Sequence, residues 1–201
     1  MKLNIILASA SPRRQELLSQ VGLCFKVMPS DCEEIITKIA PDEVVKELSL
    51  QKAQDVAAKL QNNENPLLVI GADTVVSCDG EILGKPKSKE DAAAMLTKLQ
   101  GRAHKVYTGV ALLYKEAEDS EWETANFAEC TQVVFYPMTT EEIQRYVETG
   151  EPMDKAGSYG IQGKCAAFIE KIEGDYNNVV GLPVGRVCLW LRSRGLFGEL
   201  L

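Results

Sequence analysis

Two carboxylates, two lysines and two arginines carry the chemistry in this 201-residue chain: Glu33 and Asp73, Lys52 and Lys85, Arg13 and Arg14. Together they are equipment for metal-assisted attack on a phosphoanhydride. Carboxylate oxygens hold a hard divalent cation, Mg2+ or Mn2+, which often keeps several waters. Such a cation polarises phosphoryl oxygens and lowers the pKa of a bound water. Lysine and arginine spread the negative charge that builds on the leaving group. Two carboxylates are too few to specify a two-metal centre.

The positions of these groups bear on that reading. Ser11-Pro12-Arg13-Arg14 directly follows the apolar run 3–8. The run reads as a buried strand, Ser11 as a helix N-cap and Pro12 as the first helical residue. Free backbone N–H groups and two guanidinium groups then share one corner, an arrangement suited to phosphate. An ordinary capped helix with solvated arginines fits equally well. Asp73 follows the apolar run 67–71, whose pattern is that of a strand covered on both faces. A carboxylate there is costly unless it binds a cation, accepts hydrogen bonds or opens onto a cleft; the plainer reading is a helix or turn cap. Lys52 sits at the apolar edge of a helix, where a lysine usually snorkels. Lys85 stands between Gly84 and Pro86, either aimed by a fixed backbone or solvated in a turn. Glu33 alone reads as a surface loop acid. A further cluster, residues 154–163, begins at Asp154 and holds Gly157, Gly160 and Gly163 and an amide, Gln162, that reads as buried.

The elements that must position these groups alternate helix and strand. A helix is expected over 12–21 with Gly22 at its C′ position, a short strand over 23–28, and an acidic loop after it. A longer helix opens at Pro41 and Asp42, with Val44, Val45, Leu48, Val56 and Leu60 largely on one face. A polar break at 62–66 precedes the strand 67–71, which ends at Asp73. Runs 75–77 and 81–83 flank Asp79-Gly80, a hairpin signal. Ser88 caps a helix to residue 99. Segments 105–115 and 125–136 read as long strands joined by the charged stretch 116–123. Thr139 and Glu142 form a capping box for a helix ending near Gly150. Segment 166–173 is strand-like, 179–182 is another apolar run, and 184–194 is a closing helix. Helices together with long antiparallel strands imply a mixed α/β sheet.

Bulk properties narrow the function. A net charge of −7 argues against a nucleic acid polymer, which needs a broad basic surface, but a few cations converging in a cleft still hold a triphosphate. None of the six cysteines forms C-x-x-C, so neither a zinc site nor a disulfide framework is expected. Scattered thiols read as reduced, and the expected location is cytoplasmic. No apolar run is long enough to span a bilayer, and the opening residues do not read as an export signal. His104 is the single histidine and reads as structural.

Five blocks carry a resemblance: Leu7-Ala8-Ser9-Ala10-Ser11-Pro12-Arg13-Arg14, Gly71-Ala72-Asp73-Thr74-Val75-Val76, Gly84-Lys85-Pro86, Asp154-Lys155-Ala156-Gly157-Ser158-Tyr159-Gly160-Ile161-Gln162-Gly163, and Val180-Gly181-Leu182-Pro183. In this order they resemble the Maf family of nucleoside triphosphate pyrophosphatases. The resemblance implies one domain over 1–201, an elongated mixed sheet with flanking helices, and two lobes around a central cleft, as in inosine triphosphate pyrophosphatases. It implies cleavage between the α and β phosphates with a divalent metal, and a homodimer. By carry-over Asp73 is the proton acceptor and a metal ligand with Glu33. Lys52 and Lys85 line the phosphate and metal site, with Ser9, Arg14 and Asp154 placed beside them. Arg13, Thr74 and Gln162 match the branch acting on dTTP and UTP; the branch acting on methylated GTP carries Trp, Gln and Glu there. The chemistry of Gln162 agrees, since one carboxamide accepts from the N3–H of uracil or thymine and donates to a neighbouring carbonyl. The rival from another class is a non-catalytic nucleotide-binding regulator of cell division.

Overall fold

The computed structural model describes residues 3–60, 65–118 and 120–197. Of the polar break expected at 62–66, residues 62–64 lie outside the described residues, as does residue 119 of the charged link 116–123.

The chain runs β1 (Asn4–Leu7), α1 (Pro12–Gln20), β2 (Phe25–Val27), α2 (Pro41–Lys59), β3 (Leu67–Cys78), β4 (Glu81–Leu83), α3 (Lys89–Leu99), β5 (Ala103–Lys115), β6 (Glu123–Phe135), α4 (Thr140–Glu148), β7 (Ile169–Glu173), α5 (Tyr176–Val180) and α6 (Val184–Ser193). Short 3-10 turns occupy Glu151–Asp154, Ala156–Ser158 and Lys164–Phe168. The strands follow the order β2-β1-β3-β5-β6-β7, with β4 paired to β3. β1 pairs in parallel with β2 and β3, whereas β3–β4 and β6–β7 are antiparallel. The sheet is therefore mixed, as the alternation of long strands and helices predicts.

Local signals act where the sequence places them. Ser88 accepts from the Asp91 amide at 3.2 Å, and Thr139 and Glu142 form the reciprocal capping box of α4. Asp79 and Gly80 take left-handed conformations at the β3–β4 hairpin, as a two-residue I′ turn requires. Three expectations change. Ser11 occupies the N-cap position of α1 but makes no side-chain cap bond; its amide donates to Ser9 Oγ at 3.3 Å. The strand-like segment 166–173 begins in the 3-10 turn Lys164–Phe168, and β7 starts only at Ile169. Most consequentially, Asp73 does not end a strand. β3 continues through it to Cys78, because Ala72, Asp73 and Thr74 keep extended backbone while the strand exchanges partners. β1 pairing ends at Leu7 opposite Ile70, and β4 pairing begins at Leu83 opposite Val76. Asp73 and Thr74 fall in that interval and are the two half-buried positions of an otherwise buried strand.

Two compact units divide the chain. The first comprises 1–73, 108–129 and 181–201, and the second 74–107 and 130–180. The first has a core of Ile6, Ala8, Val56, Leu67, Val69 and Leu113 around α2. The second gathers Leu96 and Leu99 of α3, Tyr146 and Val147 of α4, and Phe135 and Tyr159.

In the first unit, α2 lies against strand backbone at two glycines. A Cβ on Gly71 would overlap the Ser49 carbonyl oxygen and stand 2.9 Å from the Ala53 Cβ and amide nitrogen. A Cβ on Gly109 of β5 would overlap the Val45 carbonyl. No flexible side chain can yield at either place, so only a residue without Cβ permits this approach. Gly71→Ala is therefore expected to cost about 2–3 kcal/mol, the upper range for overpacking, read as a lower urea midpoint at unchanged m-value. Parent-like stability would contradict the backbone contact.

Candidate active site

The first unit brings four elements to one polar cluster. At the β1–α1 corner Arg14 donates from Nε to the Gly181 carbonyl at 2.8 Å and from an Nη to Ser9 Oγ at 3.0 Å. The Val180-Gly181-Leu182-Pro183 block thus supplies the anchor of the second arginine. Arg13 and Arg14 are both half-buried. Burial pulls the Arg14 pKa below its ordinary value, Asp73 opposes that shift, and Arg13 adds to it. A guanidinium stays charged through such a shift, so the corner presents two cations, of which Arg14 lies within the field of the Asp73 carboxylate.

Asp73 is itself paired. Lys52 Nζ stands 2.5 Å from Asp73 Oδ1 and 2.8 Å from Glu34 Oε1. The Lys52 and Asp73 side chains are only 17% and 15% exposed, against 49% for Glu34. Lys52 therefore does not snorkel; it ties the strand carboxylate to the acidic loop. The Gly71 contact places α2 where its lysine reaches β3.

Glu33 is exposed, and it is Glu34, not singled out by sequence reasoning, whose carboxylate meets Lys52. Neighbours on an extended segment face opposite ways, so the choice depends on register. That register is set by α2: the Ile35 amide donates to Gln51 Oε1 at 3.0 Å, Gln51 Nε2 donates to the Ile35 carbonyl at 2.6 Å, and Thr37 donates from its amide to Glu47 Oε2 at 2.8 Å. Glu47 and Gln51, spaced i,i+4 on α2, were the available signal.

The second unit holds the other expected residues. Thr74 is half-buried on β3, while Lys85, Asp154 and Gln162 are exposed. The exposure of Gln162 corrects its reading as a buried amide: it sits on a turn of polar and glycine residues whose backbone, not its side chain, is held. The Gly157 amide donates to the Gly84 carbonyl at 3.0 Å, so the turn Ala156–Ser158 fixes the backbone beside Lys85. Ser158, fully buried, adopts a left-handed backbone at φ 62°, strain of about 1–3 kcal/mol. Its hydroxyl meets Met95 Sδ at 3.0 Å. Asp154 pairs with Lys155 at 2.6 Å.

Among the described residues no group of three or more His, Cys, Asp or Glu could hold a metal ion. The donor chemistry that is present, the carboxylates of Asp73 and Glu34 on either side of Lys52, fits a hard cation taking few protein ligands and completing its shell with waters and phosphate oxygens. It does not fit an all-protein cage.

These features define an α/β protein with a paired-arginine corner and a lysine-bridged carboxylate pair. The chain belongs to the Maf family: the model for Maf-like proteins matches residues 4–194. A protein of Agathobacter rectalis, named dTTP/UTP pyrophosphatase, is 54% identical over 201 residues, covering 96% of this chain and 98% of that protein. One of Carboxydothermus hydrogenoformans with the same name is 49% identical over 193 residues, covering 96% and 100%. The solved Ham1 protein of Staphylococcus aureus shares the fold, with a TM-score of 0.51 at 15% identity over 95% of this chain and 99% of that one. Among the described residues no helix is long and apolar enough to cross a membrane.

His104 takes no part in these clusters. It is 3% exposed, its Nε2 lies 2.8 Å from the Tyr159 hydroxyl, and its Nδ1 has no hydrogen-bond partner. Edge contacts with Phe135 and Tyr159 enclose the ring. Burial lowers its pKa from 6.5 to about 4. The fold thus favours neutral imidazole. The stability this contributes is complete above pH 6.5 and is lost as pH falls toward 4, because only the unfolded chain gains the proton in that window. The loss is expected to reach roughly 3 kcal/mol, and His104→Gln should remove that part of the acid slope in denaturant melts measured from pH 7 to 4. Identical slopes for parent and variant would contradict it.

Proposed function

We propose that this protein is a nucleoside triphosphate pyrophosphatase that converts dTTP and UTP, together with modified pyrimidine analogues, to the monophosphate and pyrophosphate. The carrying observation is the half-buried Asp73 carboxylate held by Lys52 within the field of Arg14. The relatives' names and the three base-facing residue types, Arg13, Thr74 and Gln162, support the substrate class.

In this reading a water attacks the α-phosphorus while the bond to the oxygen bridging to the β-phosphate breaks. Asp73 accepts the water's proton at Oδ2, and Lys52 on Oδ1 fixes the carboxylate plane and keeps the carboxylate from turning away. Arg14, locked by Gly181 and Ser9, with Lys85, neutralises the charge gathering on the departing pyrophosphate. Arg13, Thr74 and Gln162 select the base, Gln162 by accepting from N3–H and donating to a carbonyl; Asp154 is placed with the substrate-binding group. A divalent cation, Mg2+ or Mn2+, would be held by Asp73 with the acidic loop, through Glu33 or Glu34, and would supply phosphoryl polarisation and a more acidic water.

One catalytic domain spanning the chain and a homodimeric assembly belong to the same proposal. The six free cysteines fit a reducing compartment such as the cytoplasm.

The test is a nucleotide panel assayed for the released anion with and without Mg2+ and Mn2+. UTP and dTTP should yield pyrophosphate, CTP and GTP far less, and Asp73→Asn should lower kcat by at least about 10³-fold, the scale of losing a general base, with an unchanged thermal midpoint. Release of inorganic phosphate would instead indicate a γ-phosphatase. Tight, metal-independent binding without product would favour a non-catalytic regulator, an outcome not expected because Asp73 and Glu34 would repel a bare triphosphate.

A further inference from the structure

Glu151, which the proposed chemistry does not use, stands at the centre of a hydrogen-bond cluster in the second unit. Its Oε1 accepts from the Tyr146 hydroxyl at 2.9 Å, and its Oε2 accepts from the Lys164 amide at 3.0 Å. The Tyr146 oxygen in turn accepts from the Gly160 amide at 3.2 Å. A Cβ on Gly163 would overlap the Glu151 carboxylate, so the loop backbone lies directly on the acid. Lys155 Nζ caps the Glu151 carbonyl at 2.6 Å. The Lys164 end of the loop 160–164 is therefore tied to Glu151 directly and the Gly160 end through Tyr146, and Gln162 lies between the ties.

We propose that Glu151 is a positioning residue for base selection, clamping the backbone at Gly160 and Lys164 so that the loop presents Gln162 to the pyrimidine already ordered. This rests on the reading of Gln162 as a base-contacting residue. A loop of small and polar residues without the clamp would have to be ordered on binding, and that cost falls on substrate affinity. Burial, reinforced by the hydrogen bond to the Glu151 carboxylate, raises the Tyr146 pKa, so its hydroxyl keeps the proton that it donates to Glu151. Burial and the Glu151 charge hold the Cys165 thiol up at about 12, so a neutral thiol lies beside the clamp.

The experiment compares Glu151→Ala, Glu151→Gln and Gln162→Ala with the parent in steady-state turnover of UTP and CTP and in amide hydrogen exchange. Glu151→Ala should speed exchange at Gly160 and Lys164 at least about tenfold, the equivalent of one lost hydrogen bond. It should raise KM for UTP about tenfold with kcat within about twofold, and lower the UTP-to-CTP preference toward that of Gln162→Ala. Glu151→Gln keeps one carbonyl acceptor and should fall between. If Glu151→Ala does not fold, Glu151→Gln and Tyr146→Phe, which releases the Gly160 end alone, carry the same comparison. If Gln162→Ala alters the preference while the folded Glu151 variants alter neither it nor KM, the clamp is overturned alone. An equal fall in kcat for both nucleotides at unchanged preference also overturns it, marking a merely structural role. If Gln162→Ala leaves the preference unchanged, the base reading fails and the clamp falls with it.

Discussion

The approach of α2 to the backbone of β3 at Gly71 governs what the first unit can do. Packing a helix backbone onto a strand without an intervening side chain brings Ser49 and Ala53 against Gly71. One turn of α2 then carries Lys52 to Asp73, two residues further along the strand. Lys52 has a long, entropically costly side chain, and it spans between two carboxylates only because both are brought within its reach. The same helix sets the register of the acidic loop through Glu47 and Gln51. A single element thus fixes the strand carboxylate, its cation and the loop acid that completes the trio.

In the second unit, backbone bonds and side chains share the part that α2 plays in the first. The Gly157-to-Gly84 bond and the strained left-handed Ser158 hold the backbone beside Lys85, and the Tyr146 and Glu151 side chains hold the loop that carries Gln162. Strain of this kind persists only where surroundings over-determine the conformation. Here Ser158 is fully buried and Val76 packs beneath the turn. Exposed polar groups on a rigid backbone are suited to contacting a ligand, since little ordering is left for the moment of binding.

Much of this was legible in the sequence. Caps at Ser88 and Thr139, the Asp79-Gly80 hairpin and the apolar face of α2 follow from local chemistry that tertiary contacts did not override. The mixed sheet followed from element order. The continuity of β3 through Asp73 was not legible, because a polar pair inside an apolar run looks like a strand end, and only the exchange of β1 for β4 pairing explains why the strand tolerates it. The choice of Glu34 over Glu33 beside Lys52 depends on a one-residue register set where Gln51 holds Ile35, sixteen residues from it in sequence. Gln162 reads as a buried amide in the sequence, yet its backbone is held while its side chain is exposed. The role of Gly181 as the anchor of Arg14 spans 167 residues of sequence, beyond any local signal.

The central claim is that Lys52 and Asp73 act as one unit. A double-mutant cycle on turnover tests it most directly, with Lys52→Met, Asp73→Asn and the double variant assayed on UTP after each is shown to be folded. Groups acting as a unit are strongly non-additive, so the double variant should lose about as much kcat/KM as Asp73→Asn alone. Losses that multiply, each substitution exerting its full effect in the presence of the other, would contradict the account.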